Sequence, residues 1–360
     1  MLGATGSRLL SGTLAPHVAL ESRLAAHFCA ESALFFNSGW DANVSFSSTV
    51  PQPTEWVICD EYVHASVHSG LRASRVPPNQ MVPFVYNDPT ALAAVLEKVM
   101  ARANKQSTQP PTIFLAVESL YSMDGDFGSL SELADVKDAY VPRAQQCIVV
   151  DEAHSTGVYS AGGRGLTFAA GEATNLGNNR GRVTVRLMTF GKGVGCSGAA
   201  LLCGETVRTF IINFARPFIF STAPPLKTVL ALDVAWDVLA STQGDAKRAD
   251  LLRTIANFRA RLTPILASAP AHILRLPDEN FADQLSPIVP LLTPTPVALS
   301  AFLLKRGFVV FPFVPPAVPH GAERICMRLR AGMDSAVVDK LVEALAEWVA
   351  RATTPIRAKL

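Results

Sequence analysis

Asp151 ends the apolar run Cys147-Ile148-Val149-Val150 and opens Asp151-Glu152-Ala153-His154. An unpaired charge in a core is costly, so a carboxylate placed there needs a partner. It could bind a metal, act as a base, pair with a cation, or cap a helix. Lys192 stands in Thr189-Phe190-Gly191-Lys192-Gly193, behind another apolar run and between two glycines. A lysine in such a place can be desolvated, which lowers its pKa and makes it a nucleophile; a lysine in a surface turn has the same local sequence. Together the two residues suggest pyridoxal phosphate (PLP) chemistry. The aspartate keeps the pyridine nitrogen protonated, and the lysine holds the cofactor as a Schiff base.

A phosphate needs a cradle of backbone N–H groups. Ser38-Gly39-Trp40 follows an apolar run and precedes a helical turn at Asp41–Ser45, and a helix start is an anion site. A turn glycine would leave the same trace. His64, in His64-Ala65-Ser66, could stack on a cofactor ring, and His154 could donate to its phenolic oxygen. Either histidine could also be structural.

The elements that must position these residues read as alternating strands and helices. Strand-length runs cover Ala33–Phe36, Trp56–Cys59, Thr112–Val117, Cys147–Val150, Val185–Thr189 and Ala199–Cys203. Helical patterns cover Leu20–Ala30, Thr90–Ala103, a long stretch from about Pro224, and Ser335–Ala350. Such alternation implies a mostly parallel sheet covered on both faces. Ligands bind at the carboxyl ends of such strands, where Ser38, Asp60, Glu118, Asp151 and Thr189 fall. The expected architecture is α/β, with a large domain over residues 1–236 and a smaller α/β domain over 237–360. Residues 171–182 read as a surface loop.

The composition, 49% hydrophobic and 17% charged, suits a large core, and a net charge of +2 gives no reason to expect a nucleic-acid partner. Ser286–Leu304 is uncharged and long enough to span a bilayer, but Pro287, Pro290, Pro294 and Pro296 interrupt it. It reads as strand and loop in a core, so no membrane span is expected. Met1–Gly12 lacks the apolar stretch of a signal peptide. The six cysteines form no CxxC pair and read as reduced buried thiols, with no metal site. The chain ends Ala358-Lys359-Leu360, a variant of the peroxisomal Ser-Lys-Leu address, so a peroxisomal location is expected.

The segments Gly6–Gly12, Ser38–Asn43, Asp60–Gly70, Glu118–Asp126, Asp151–Gly157, Thr189–Ala200, Phe220–Thr222 and Pro315–Gly321 run in one order over nearly the whole chain. In this order the sequence resembles the α-oxoamine synthases, fold-type-I PLP-dependent transferases that condense an amino acid with an acyl-CoA. It looks most similar to the branch serving biotin synthesis. The resemblance implies Lys192 as the Schiff-base lysine and acid/base, Asp151 as pyridinium partner, His154 as phenolate partner and His64 as ring-stacking residue. It implies Gly39, Trp40 and Thr189 as phosphate ligands and Ser122 as a cofactor contact. Thr222 matches a residue reaching the phosphate from a second subunit, which implies a homodimer with shared active sites. The expected substrates are L-alanine and pimeloyl-CoA. Related condensations use glycine or serine, or a longer acyl chain.

Three departures from the family pattern stand out, and the first two open a further reading, a catalytically impaired partner subunit. The Gly6-Ser7-Arg8 segment comes earlier here than in family members. Cys326, in Arg324-Ile325-Cys326-Met327-Arg328, falls where the family carries the arginine that binds the amino-acid carboxylate, and cysteine cannot make that bidentate pair. Arg328 or Arg324, two residues away on the same side of a strand, is the expected substitute. Ala317 replaces a threonine of the family pattern.

Overall fold

The computed structural model describes residues 3–106, 110–173, 181–277 and 285–353. The side chains of residues 104–106 are not among them. Part of the expected loop at 171–182 and the C-terminal tripeptide lie outside the described residues. The chain divides into two compact units. The first comprises Met1–Leu120 and Gly128–Asp245, and the second Tyr121–Phe127 and Ala246–Leu360. The expected division after residue 236 falls inside a helix, Leu226–Leu239.

The first unit is built on seven strands. They are β1 (Ser32–Phe36), β2 (Trp56–Asp60), β3 (Met81–Phe84), β4 (Ile113–Glu118), β5 (Gln146–Asp151), β6 (Val185–Thr189) and β7 (Ala199–Cys203). Their order across the sheet is β1-β7-β6-β5-β4-β2-β3. All pairs are parallel except those made by β7, which runs against both β6 and β1. The mostly parallel sheet expected from the sequence is present. The helix α1 (Ala15–His27) precedes β1, and the connections between strands carry α2 (Gly39–Thr49), α3 (Ala65–Arg72), α4 (Pro89–Gln106), α5 (Leu130–Tyr140) and α6 (Leu166–Ala169). After β7 come α7 (Glu205–Phe214), α8 (Arg216–Phe220) and α9 (Leu226–Leu239).

The period-2 alternation of side chains sorts the core by face. Leu34 and Phe36 of β1, Phe114 of β4 and Leu201 of β7 pack with Ala42 and Phe46 of α2, Val67 of α3 and Ile211 of α7. On the other face, Ile113, Leu115 and Val117 of β4 meet Leu92 and Leu96 of α4 and Leu133 of α5. Towards β1, Ala33, Phe35 and Ala200 meet Leu20 and Leu24 of α1, Phe28 just past its end, and Trp236 of α9. Both faces are buried, so strands such as Ala199–Cys203 read as unbroken apolar runs.

The second unit holds α10 (Thr242–Ser268), which begins just before the division, and β8 (Ile288–Leu292), α11 (Pro296–Leu304), β9 (Phe311–Phe313), β10 (Arg324–Arg328) and α12 (Ser335–Thr353). Its three strands form an antiparallel sheet in the order β8-β10-β9. Here one expectation is corrected. Ser286–Leu304 is a strand followed by a helix, not strand and loop. Pro296 sits in the first turn of α11, where its missing N–H costs nothing. No helix among the described residues is long and apolar enough to cross a membrane.

Candidate active site

The carboxyl ends of β2, β4, β5 and β6 deliver Asp60, Glu118, Asp151 and Thr189 to one edge of the sheet. Glu118 lies directly opposite Asp151 in the β4–β5 register. Asp151 is buried at 8% exposure. One of its oxygens accepts from Asn43 Nδ2 at 2.8 Å and the other from the Ala153 amide at 2.8 Å. The carboxylate is thus fixed by a helix on one side and by its own turn on the other. Buried charges persist only when held in this way.

Lys192 and His154 meet at this edge, with Nζ and Nε2 2.9 Å apart. Lys192 is exposed; of the two readings its local sequence left open, this matches the surface-turn one. The reason is local: residues 191–193 form a glycine-flanked loop between β6 and β7 and are exposed together. That loop still lies close to the segment after β5, since a Cβ on Gly193 would fall 2.6 Å from the Thr156 carbonyl oxygen.

His64 precedes α3 and caps its first turn. Its backbone N–H donates to Glu118 Oε1 at 2.7 Å. Its ring stands edge-on to Trp40, with centroids 6.0 Å apart. Partial enclosure lowers the His64 pKa; the Asp151 carboxylate raises it, and the Lys192 cation lowers it. Burial, together with the Asp151 charge, pushes the Glu118 carboxyl well above the usual range. Asp60 accepts from the amides of Tyr62, in the turn that follows it, at 2.7 Å and of Asn87, after β3, at 2.6 Å.

Ser38 caps α2, its Oγ accepting from the Asp41 amide at 3.1 Å. A Cβ added to Gly39 would fall 2.4 Å from Thr189 Oγ1. Glycine alone therefore lets the start of this helix approach the hydroxyl at the end of β6. Helix-start amides and a hydroxyl together make a phosphate cradle. The neighbouring Asn37 Nδ2 donates to the Thr222 carbonyl at 2.9 Å, and Thr222 pairs with Ser7 in an isolated bridge. The donor set matches PLP: a cradle at Gly39, Trp40 and Thr189, a buried anchored carboxylate at Asp151, and a lysine within reach of a histidine.

Ser122, Arg324 and Arg328 belong to the second unit. Ser122 is half-buried in the segment Tyr121–Phe127. Arg324 is 5% exposed and engaged by Asp124, by the Met123 carbonyl at 3.2 Å and by the Ala322 carbonyl at 2.9 Å. Its guanidinium is occupied by the protein itself. Arg328 is exposed at the end of β10, and Cys326 is buried between them. Sequence reasoning missed Asn43 and Ser66, which link Asp151 to His64. Asn43 sits within α2 and Ser66 within α3; both fall inside segments that carry the resemblance, Ser38–Asn43 and Asp60–Gly70, which marked them without giving either a role.

The aminotransferase class I and II family model matches residues 2–345. The chain is 35% identical to the 8-amino-7-oxononanoate synthase of Emericella nidulans, over 96% of this chain and 81% of that protein. It is 34% identical to the enzyme of the same name from Anaeromyxobacter sp. strain K, over 96% and 78%. Among solved structures, the serine palmitoyltransferase of Sphingomonas wittichii superimposes with a TM-score of 0.83 at 27% identity, covering 98% of this chain and 80% of that one. The 8-amino-7-oxononanoate synthase of Francisella tularensis shares the fold, with a TM-score of 0.73 at 22% identity over 97% and 90%. The chain belongs to the aminotransferase class I and II family, as a fold-type-I PLP-dependent acyltransferase of the α-oxoamine synthase branch.

Proposed function

We propose that this enzyme condenses L-alanine with pimeloyl-CoA to give 8-amino-7-oxononanoate, CoA and CO2, a step of biotin synthesis. The observation that carries the reading is the strand-end cluster of Asp151, His154 and Lys192, in a chain 34–35% identical to two enzymes named for that product. PLP, when bound, supplies an electron-withdrawing ring that stabilises a carbanion at the amino acid's α-carbon. Asp151 would hold the ring nitrogen, His154 its phenolic oxygen, and Gly39, Trp40 and Thr189 its phosphate. Lys192 takes the α-proton and later returns one. A carbon–carbon bond forms between the α-carbon and the thioester carbonyl carbon. The CoA thiolate leaves and is protonated, and the amino-acid carboxylate leaves as CO2. Anchored charge at Asp151 needs no reorganisation during these steps, which is where such sites gain most.

Arg324 is occupied, so Arg328 is the cation we assign to the amino-acid carboxylate. The test is turnover with alanine, glycine and serine against pimeloyl-CoA and longer acyl-CoAs, for the wild type and for Arg328→Ala. The expected result is a preference for alanine with pimeloyl-CoA. Arg328→Ala should raise the KM for the amino acid by roughly tenfold or more, as loss of a charge-assisted pair would. Serine with a long acyl-CoA as the best pair would replace this reading with the palmitoyltransferase one, which the TM-score of 0.83 favours. No turnover with any pair would favour the impaired subunit, for which buried Cys326 speaks.

The acting unit we assign is a homodimer, with Thr222 reaching the partner's phosphate; a monomer by light scattering would remove that part. We propose a peroxisomal location, supported by the tripeptide Ala358-Lys359-Leu360. A fluorescent fusion that stays diffuse with the tripeptide intact would refute it.

A further inference from the structure

Four side chains form a hydrogen-bonded chain across the site. Asn43 Nδ2 donates to Asp151 Oδ2 at 2.8 Å and to Ser66 Oγ at 3.0 Å. Ser66 Oγ lies 2.7 Å from His64 Nδ1. Asn43 and Ser66 are buried, at 6% and 0% exposure. The direction of every bond follows from chemistry. An ionised carboxylate only accepts, so the Asn43 amide must turn its NH2 towards Asp151. The same NH2 spends its second hydrogen on Ser66 Oγ, which accepts it. The serine hydroxyl hydrogen then points to His64 Nδ1, so Nδ1 must be an acceptor. A second observation agrees: the Ser66 backbone N–H also donates to Nδ1, at 3.3 Å, as the cap of α3. Two donors converge on one ring nitrogen, and that nitrogen cannot carry a proton.

We propose that Asn43 and Ser66 are positioning residues: anchored on Asp151, they fix the direction of the hydrogen bonds that end on His64 Nδ1 and so hold its ring neutral with the proton on Nε2. The inference rests on the assignment of Asp151 and His64 to the cofactor site. Its consequence for the reaction is that the ring beside the cofactor is an uncharged imidazole. A cationic ring there would compete with Lys192 for the Asp151 charge and repel the lysine itself. The charged groups around the ring are Asp151 and Lys192, with the Glu118 carboxyl on its backbone N–H.

The test reads the tautomer directly, without turnover. PLP-loaded protein is labelled with 15N in its histidine rings, and long-range proton–nitrogen spectra are taken at pH 7.5. His64→Asn assigns the signal among the seven histidines. In the wild type, His64 is expected to show an unprotonated Nδ1 and a protonated Nε2. In Ser66→Ala, a population with Nδ1 protonated should appear, and the His64 titration should move to higher pH, because the neutral ring loses a donor. The acid limb of the kcat/KM profile should move with it, with kcat down about tenfold. A protonated Nδ1 in the wild type would overturn the proposal, and needs no variant to fold. So would an unchanged tautomer and titration in a folded Ser66→Ala protein. The spectrum does not depend on which acyl-CoA is used, so failure here and failure of the condensation reading are distinguishable.

Discussion

Lys192→Ala is expected to lower kcat by about 10³-fold or more, the scale of losing a positioned acid/base that also anchors the reacting group. Borohydride treatment of the wild type should fix PLP to Lys192, read as a mass adduct on its peptide, and the variant should show none. The geometry behind this is specific. Lys192 Nζ has His154 Nε2 at 2.9 Å, and the loop that carries it lies against Thr156, close behind Asp151. A lysine elsewhere could not replace it, because the closeness of this loop depends on Gly193, where a side chain would strike the Thr156 carbonyl. If Lys192→Ala kept turnover within tenfold, Lys192 would not be the acid/base. If the wild type itself bound no PLP, the impaired-subunit reading would stand instead. Mass and rate together separate the two cases.

The parts legible in the sequence share a cause. Strands buried on both faces give unbroken apolar runs, and a polar residue ending such a run has few reasons to be there. Asp151, Glu118 and Thr189 were visible for that reason, and β6 and β7 begin and end where the runs do. The strand β3 left no such trace. It is a half-exposed edge strand carrying Pro83, whose missing N–H is tolerated only at an edge. The helix α11 was hidden by prolines that read as breakers, though Pro296 opens the helix. Asn43 and Ser66 escaped because their role is defined by partners far along the chain. Asn43 meets Asp151 across 108 positions, and no local pattern encodes that contact. At Lys192 the local sequence left a desolvated lysine and a surface-turn lysine both open, and only the fold shows residues 191–193 as an exposed glycine-flanked loop.

Lys137 should make stability rise with pH above neutrality, and Lys137→Met should remove that rise. Lys137 lies on α5 with 0% exposure, and its Nζ donates to the carbonyls of Ile113 at 2.7 Å and Cys147 at 2.8 Å. These two acceptors stand at the starts of the adjacent strands β4 and β5. A neutral amine has two N–H bonds and finds two acceptors. An ammonium would bring a third hydrogen and a full charge into a buried place. Burial accordingly lowers the Lys137 pKa from 10.5 to about 7. The sign follows from proton counts. Between about pH 7 and pH 10.5 the unfolded chain binds a proton here that the folded chain does not, so stability increases with pH across that window. Below about pH 7 both states hold the proton, and the contribution is fully lost. A shift of this size corresponds to about 5 kcal/mol between the two ends of the window. Urea midpoints of the wild type between pH 6.5 and pH 9.5 should therefore climb, and those of Lys137→Met should climb much less. The methionine fills the space of the alkyl chain but leaves the two carbonyls without their donor, so the variant should fall furthest behind at alkaline pH. Equal slopes in the two proteins would show that the folded chain keeps the Lys137 proton across this range.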